Sequence, residues 1–167
     1  MTSARTSVPE APPLIYARPG FLLRRAHQLS VGLFERHCAQ FGLTPPQYGV
    51  LSVLSYAPDI DQITLAKALG YDKVTISHIV RGLEARGLLT REASSAGRRR
   101  MAICLTRQGK ALLGRAGAGA ARAHDDLLQP LPPEEQAHLL RLLDRLCTEL
   151  EDEARAQYRK IAERRVR

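Results

Sequence analysis

Apolar residues recur every three or four positions over long stretches of the chain, which is the spacing of one face of an α-helix. The first such stretch begins at Pro19, a residue that suits the first turn of a helix, and ends at Gly42. Its apolar residues cover more of the helix than one neighbour can bury, so we expect it to pack in a larger assembly. Residues 1–18 contain three prolines among small polar residues and predict a flexible N-terminal arm.

Capping residues mark the starts of three shorter helices. Thr44 and Gln47 are spaced as a capping box, which predicts a helix at this point. Asp61 and Asp72 can cap two further helices, which a tight turn at 70–72 separates. Two short helices joined in this way have the spacing of a helix-turn-helix motif. The second of them has one apolar face, made of Ile76, Ile79, Val80 and Leu83.

After Gly87 the apolar residues alternate with polar ones, a period that is typical of β-strands. We predict strands at residues 88–92 and 101–105. The residues between them form a small polar turn followed by three arginines at 98–100. The pattern therefore predicts a β-hairpin whose tip is basic.

The last third of the chain predicts two helices. Thr106 can cap an alanine-rich helix that reaches about Leu128, although each of its four glycines weakens it by roughly 1 kcal/mol relative to alanine. Such a helix needs packing to persist, or a close backbone approach that explains the glycines. Prolines interrupt the chain before a last helix begins at Glu134. Leucines on this helix form a seam that suits another helix: Leu139, Leu143, Leu146 and Leu150.

The charge of the chain indicates a polyanionic partner. Its 167 residues include 25 Lys plus Arg against 17 Asp plus Glu, a formal net charge of +8 that attracts nucleic acid before any specific contact forms. We find no apolar run of about 18 residues and no signal peptide, so we expect a cytoplasmic protein without a membrane partner. Three widely spaced cysteines suit a reducing compartment better than a disulfide framework: Cys38, Cys104 and Cys147.

Five segments in order resemble the MarR family of winged helix-turn-helix transcriptional regulators. They are LTPPQY at 43–48, LAKALG at 65–70, DKVTIS at 72–77, LEARGL at 83–88 and LTRQG at 105–109. With matching breaks between the segments, the resemblance covers about residues 19–150.

The resemblance implies a mainly α fold with a small β-hairpin wing, assembled as a homodimer. The dimerisation helices would come from residues 19–43 and 107–167, and the winged helix-turn-helix lobe from 44–106. The family implies a regulator that binds a palindromic double-stranded DNA operator, most often as a repressor. The chain departs from the family at Gly97, where an acidic residue commonly precedes the basic pair of the wing.

The second helix of the motif and the wing carry the candidate DNA-binding residues. Ser77 and His78 can hydrogen-bond base edges in the major groove, whereas Lys73 and Arg81 are better placed for phosphates. Arg98 and Arg99 of the wing would approach the minor groove. The alternative is that these residues are ordinary solvated charges. The full set is Lys73, Thr75, Ser77, His78, Arg81, Arg98 and Arg99.

The resemblance also implies an effector crevice between the dimer helices and the DNA-binding lobe. Cationic groups beside aromatic walls could hold a small aromatic carboxylate or a hydroxycinnamoyl-coenzyme A. Alternatively, the arginines pair with acidic neighbours or solvent and the tyrosines pack in the core. The candidate ligand-binding residues are Arg24, Arg25, His27, Tyr48 and Tyr56.

Other classes of function have weaker support. A redox sensor needs an accessible thiolate, but the three cysteines lie at positions that small buried hydrophobic residues would fill. His37-Cys38 and residues 124–126 supply metal-ligand types, although neighbouring helix residues point about 100° apart. A DNA binder without effector, or one that senses redox state or metal, stays the alternative. No hydrolase, phosphate-loop or dinucleotide motif is visible, so we expect neither enzymatic activity nor a cofactor.

Overall fold

The structure, a computed structural model, describes residues 14–94 and 101–161 and is mainly helical, with a two-stranded hairpin. The fold class predicted from the sequence is confirmed. Short 3₁₀ helices lie at Leu14–Ala17, Ala39–Phe41 and Glu151–Glu153. The larger elements are, in chain order, α1 (Pro19–Cys38), α2 (Pro45–Tyr56), α3 (Gln62–Leu69), α4 (Lys73–Ala85), β1 (Leu89–Ala93), β2 (Met101–Leu105), α5 (Arg107–Leu128) and α6 (Pro133–Glu149).

All four predicted caps form. The backbone N–H of Gln47 donates to the Thr44 hydroxyl over 3.4 Å, and the Gln47 side chain accepts from the Thr44 N–H over 3.1 Å. Asp61 accepts the N–H of Thr64 at 2.8 Å. Asp72 and Thr106 cap α4 and α5 in the same way. These bonds satisfy N–H groups that otherwise lack partners at helix starts, so local sequence determines where these helices begin.

Several boundaries differ from the sequence expectation. The helix predicted to reach Gly42 ends at Cys38, and a 3₁₀ turn follows before Gly42 adopts the left-handed conformation at φ +58°. Leu14–Ala17, within the predicted arm, is a 3₁₀ helix, whereas residues 1–13 lie outside the described residues. β1 begins one residue later than predicted, at Leu89, and α6 begins one residue earlier, at Pro133.

One apolar core holds α2, α3, α4 and the hairpin together. In the antiparallel hairpin Leu89 lies opposite Leu105, and Ile60 adds a bridge to Ile103. Full burial of a side chain such as Leu89 or Ile103 contributes about 1.5–3 kcal/mol. The first half of α5 adds Leu112 and Ala116 to the same core. The largest fully buried side chains are Val50, Leu51, Leu54, Leu65, Ile76, Val80, Leu83, Leu88 and Ile103.

Helices α1 and α5 lie against each other at a close backbone approach. A Cβ added to Gly119 would be 2.7 Å from the carbonyl oxygen of His37 and 3.0 Å from the sulfur of Cys38. Gly109 is tighter still, because its Cβ would lie 2.2 Å from the carbonyl oxygen of Leu88. Within the protomer nothing lies within 4 Å of a Cβ on Gly114 or on Gly117. The close approach expected from the glycines therefore occurs at two of the four positions.

Helix α6 buries none of its residues in the protomer. Except for Leu143, which is partly buried, its leucines are exposed by about two-fifths to one-half, as are several on α1. Within 14–94 and 101–161, no helix combines the length and the apolarity needed to cross a bilayer. The most exposed leucines of the two helices are Leu22, Leu29, Leu140, Leu142 and Leu150.

Candidate nucleic-acid interface and effector cavity

Asp72 fixes the start of α4 and engages the side chain of Thr75. Its carboxylate accepts the Thr75 N–H at 2.7 Å and the Thr75 hydroxyl at 2.9 Å. These hydrogen bonds favour the ionised form and lower the pKa of Asp72. The hydroxyl of Thr75, one of the predicted DNA-binding residues, therefore already donates a hydrogen bond to the Asp72 carboxylate.

The outward face of α4 carries both polar and apolar groups. His78 and Arg81 are exposed and Ser77 is half-buried, opposite the core residues of this helix. Val74, which the sequence reasoning did not include, is 77 % exposed on the same face. Helical spacing alone would have found it, and a valine methyl can contact the methyl group of thymine. Lys73 is exposed in the first turn.

Two arginines outside the predicted set hold α4 in place. Arg86 donates to the carbonyl oxygens of Gly42 at 2.7 Å and Phe41 at 3.3 Å. Arg91 on β1 pairs with Glu84 on α4, at N–O distances of 2.8 and 3.3 Å. The first contact ties the end of α4 to the entrance of α2, and the second ties the wing to α4. These contacts orient the exposed face as part of one rigid lobe.

The tip of the wing lies outside the described residues. Gly97, Arg98 and Arg99, on which the wing interpretation depends, fall in the segment 95–100. The structure describes the two strands that lead to and from this tip. Arg98 and Arg99 therefore stay predictions.

A cavity of about 240 Å³ opens between α1, α2 and α5. Its walls combine apolar residues with a few that carry polar groups, among them Ser30, Tyr48 and His124. Phe34 and Tyr48 face each other with ring centroids 5.5 Å apart. An apolar pocket with a few convergent polar groups is the usual form of a small-molecule site. The remaining lining residues are Pro45, Gly49, Ala120, Ala123 and Leu127.

Of the five predicted ligand-binding residues, Tyr48 lines this cavity and the other four do not. Arg24 donates to Gln28 at 3.1 Å, and its guanidinium lies 5.1 Å from the centre of the Phe21 ring. Arg25, His27 and Tyr56 are exposed. Sequence reasoning missed Ser30, Phe34 and His124, because the cavity forms only when three helices meet.

His27 continues the line of cavity residues along α1. It precedes Ser30 by three positions and Phe34 by seven, so these side chains share one helix face. Arg24 lies at the edge of that face, whereas Arg25 lies on the opposite side of the helix. The three basic residues of this turn therefore differ in their position relative to the cavity.

The described cysteines and histidines do not favour a redox sensor or a metal sensor. Burial raises the pKa of the Cys38 and Cys104 thiols, which opposes thiolate formation. The expectation of a buried position is wrong for Cys147, which is exposed because α6 packs against too little of the protomer to bury any of its residues. His37 and Asp126 do meet, with Nε2 and Oδ2 2.8 Å apart. In the part of the chain that the structure describes, no group of three or more metal-ligating side chains forms.

In this structure a helix-turn-helix is followed by an antiparallel hairpin, and the exposed face of α4 can enter a major groove. This arrangement defines a winged helix-turn-helix DNA-binding protein. A model of the MarR family matches residues 41–100. The transcriptional regulator HosA of Escherichia coli is 32% identical over 125 residues, which are 72% of this chain and 92% of HosA. The chain belongs to the MarR family of transcriptional regulators, as its sequence motifs predicted.

Solved structures of similar sequence have the same fold. PcaV of Streptomyces coelicolor, in complex with its natural ligand, is 34% identical and superposes with a TM-score of 0.76 over 85% of this chain and 99% of PcaV. The repressor CouR bound to p-coumaroyl-CoA is 30% identical, with a TM-score of 0.77 over 84% of this chain and 99% of CouR. CouR has also been solved on a 23-mer DNA duplex, with a TM-score of 0.75.

Proposed function

We propose that this MarR-family regulator is a cytoplasmic homodimeric repressor that a small aromatic acid releases from a palindromic operator. The observation that carries the proposal is the cavity between α1, α2 and α5, which adjoins the helix that precedes the DNA-binding motif. The complexes of PcaV with its natural ligand and of CouR with p-coumaroyl-CoA support a small-molecule effector. The regulation of DNA binding of Bordetella bronchiseptica BpsR by 6-hydroxynicotinic acid, in a structure 29% identical to this chain, supports an aromatic acid. The DNA complex of CouR supports operator binding.

DNA reading is assigned to the exposed face of α4. Ser77 and His78 offer hydrogen-bonding groups to base edges, and Val74 offers a methyl contact. Lys73 and Arg81 supply positive charge for phosphates, and the predicted wing residues Arg98 and Arg99 would add to it. Two copies of this face in a dimer would read an inverted repeat with half-sites about 10 to 10.5 bp apart.

Dimerisation is assigned to the exposed leucines of α1 and α6. Side chains such as Leu22 and Leu142 are about half exposed in the protomer, although they recur at helical spacing. A seam of leucines that finds no partner in its own chain is typical of a helix that packs on a second copy. The two α6 helices and the two α1 helices would then form the dimer interface.

The size of the cavity favours a single aromatic ring. At about 240 Å³ it lies just below the range of about 300–1,000 Å³ that is usual for ligand pockets. A benzoate-sized acid would fill it, whereas the nucleotide part of a coenzyme A thioester would have to extend outside. Ser30, Tyr48 and His124 would bind ring substituents. Arg24, at the edge of the cavity face of α1, and Arg25 stay the predicted carboxylate anchors.

The effector would act through differential affinity. A dimer fits successive major grooves only when its two α4 helices keep one separation. A ligand between α1, α2 and α5 lowers the affinity for DNA if it binds more tightly to a dimer in which the two α4 helices have a different separation. A coupling of about 1–3 kcal/mol, which is roughly 5- to 150-fold in affinity, would suffice.

The test is release of a fluorescent duplex, taken from DNA upstream of the protein's own gene, by benzoates, cinnamates and their coenzyme A thioesters. Ala120→Leu should fill the cavity and raise the releasing concentration at least tenfold, with DNA affinity nearly unchanged. Ala118→Leu, on the exposed side of the same helix, is the matched control. Arg24→Ala and Arg25→Ala, compared in the same assay, report which arginine holds the carboxylate.

Two results would contradict the effector part of the proposal. One is a repressor whose DNA complex no compound of these classes releases. The other is Ala120→Leu responding like Ala118→Leu to a compound that does release DNA, which would place the effector elsewhere. In the first case the alternative, a DNA binder without effector, would stand.

A further inference from the structure

We infer that residues 154–161, which follow α6 and its 3₁₀ turn, form a basic arm that contacts the DNA backbone beside the helix-turn-helix. The inference rests on the proposed DNA-binding role of the chain and adds a contact outside the motif and the wing. Three of the eight residues are basic: Arg155, Arg159 and Lys160.

The arm packs against α3, the first helix of the motif. The backbone N–H of Arg159 donates to the carbonyl oxygen of Lys67, near the end of α3, at 2.8 Å. Tyr158 lies over the turn between α3 and α4, where a Cβ on Gly70 would be 3.7 Å from the Cβ of Tyr158. One main-chain hydrogen bond and one aromatic contact thus hold the arm against the turn.

Polar contacts to α6 and to the 3₁₀ turn after it hold the arm from its other side. Glu151 accepts the backbone N–H of Tyr158. The ammonium of Lys160 pairs with the Asp144 carboxylate, and this hydrogen bond raises the pKa of Lys160. Lys160 thereby acts as a tether, whereas the guanidinium groups of Arg155 and Arg159 lie exposed.

Packed in this way, the arm places Arg155 and Arg159 on the side of the motif that would face the DNA phosphates. Arg155 lines the same surface hollow as Lys73 at the start of α4. In helix-turn-helix complexes the second helix enters the major groove by its N-terminal residues, while the first helix crosses the backbone. Lys67, Lys73, Arg155 and Arg159 are all exposed, so the arm adds two cationic groups to the two that the motif already has on this side. Glu151 and Asp152 line the hollow that Lys67 shares with Arg159, which leaves Arg155 and Lys73 as the pair without these acidic neighbours.

Asp72, the acidic group at the start of α4, lines the same hollow as Arg155, and its carboxylate accepts both hydrogen bonds of Thr75 in the cap. An arginine beside the start of a recognition helix, with its guanidinium exposed, is suited to a bidentate phosphate contact. Such contacts position a protein on DNA and carry no sequence information.

The experiment measures binding to a 30-base-pair duplex of random sequence by fluorescence anisotropy, from 50 to 200 mM KCl. Four variants are compared with the full chain: Arg155→Gln, Arg141→Gln, a chain that ends after Glu153 and a chain that ends after Ile161. Arg141 is the matched control, because it lies on the side of α6 opposite the leucines. The two truncations differ only by the arm.

We expect the slope of log affinity against log salt to become shallower by about 0.9 for each phosphate that a variant leaves unbound, which is roughly eightfold in affinity at 0.1 M salt. Arg155→Gln should show this change and Arg141→Gln should not. The chain that ends after Glu153 should bind more weakly than the one that ends after Ile161. Sequence preference should not change in any of them.

Equal slopes for Arg155→Gln and Arg141→Gln, with equal binding by the two truncations, would overturn the inference while leaving the DNA-binding role intact. Tighter binding by the chain that ends after Glu153 would also overturn it, because the arm would then cover the interface. Absence of duplex binding by the full chain at 50 mM KCl would instead contradict the DNA-binding role itself.

Discussion

Single glycines decide how closely α5 can approach the rest of the molecule. At Gly119 the missing side chain leaves room for the His37 carbonyl and the Cys38 sulfur, which lie within 3.0 Å of where a Cβ would be. At Gly114, on the same helix, the corresponding space is open. Two identical residues thus have opposite roles, because only one of them faces a neighbour.

Gly119→Ala should therefore destabilise the protein by about 1–3 kcal/mol, the usual cost of overpacking, since backbone atoms of α1 must move. Gly114→Ala should be neutral or stabilising by up to about 1 kcal/mol, because alanine favours the helix. Urea denaturation followed by circular dichroism measures both. Equal effects of the two substitutions would mean that α1 and α5 do not meet at Gly119.

At the scale of elements, α4 combines a fixed start, a buried face and a reading face. Asp72 fixes the first turn, and Arg86 and Arg91 fix the position of the helix relative to α2 and the wing. The backbone of so constrained a helix keeps its place without DNA, so the side chains that it carries start from fixed positions. Pre-positioned hydrogen-bonding groups lose little entropy on binding, which is why sequence reading is assigned to this face.

Ser77→Ala and His78→Ala should each reduce discrimination between operator and random DNA by about 1–3 kcal/mol for each base whose hydrogen bonds the substitution removes. Arg99→Ala in the wing should weaken binding to both kinds of DNA by a similar factor. Anisotropy titrations on an operator selected from a random library, and on a scrambled duplex, separate the two effects. Identical losses of affinity on both duplexes for all three variants would contradict the division into readers and anchors.

At the scale of the whole molecule, the exposed leucines set the expected assembly. Leu142 and Leu146 share one face of α6 with Leu139, and Leu150 follows directly after the helix; all four are exposed in the protomer. Leu143, which the sequence placed in the seam, is partly buried, and Leu142 is the more exposed of the two. Such a face costs free energy in water, and a second copy of the same face can cover it. The proposed dimer would also set the separation of the two α4 helices, so assembly and operator spacing are linked.

Leu142→Glu combined with Leu146→Glu should therefore yield a monomer or prevent folding, with loss of operator binding. Arg141→Glu combined with Thr148→Glu, on the opposite side of α6, is the control and should stay a dimer. Sedimentation equilibrium measures the mass of each. A wild-type protein that sediments as a stable monomer would remove the basis of the dimer proposal.

The sequence by itself determined the features whose causes are local. Thr44, Asp61, Asp72 and Thr106 each bond a backbone N–H three residues further along, so a short window of sequence contains both partners. The order of helices, the hairpin and the family followed from the same local patterns. The inward face of α4 was also predictable, because helical period fixes which residues share a side.

Only the tertiary structure decided which distant residues meet. Ser30, Tyr48 and His124 line one cavity although they lie on three helices, and Tyr48 was the one member identified from sequence. Arg159 binds Lys67 although the two residues are far apart in the chain, a contact that no local pattern signals. The physical reason is that such contacts depend on how whole helices pack against each other. That packing is decided by the summed burial of many side chains, so the few polar residues that meet as a result do not determine it.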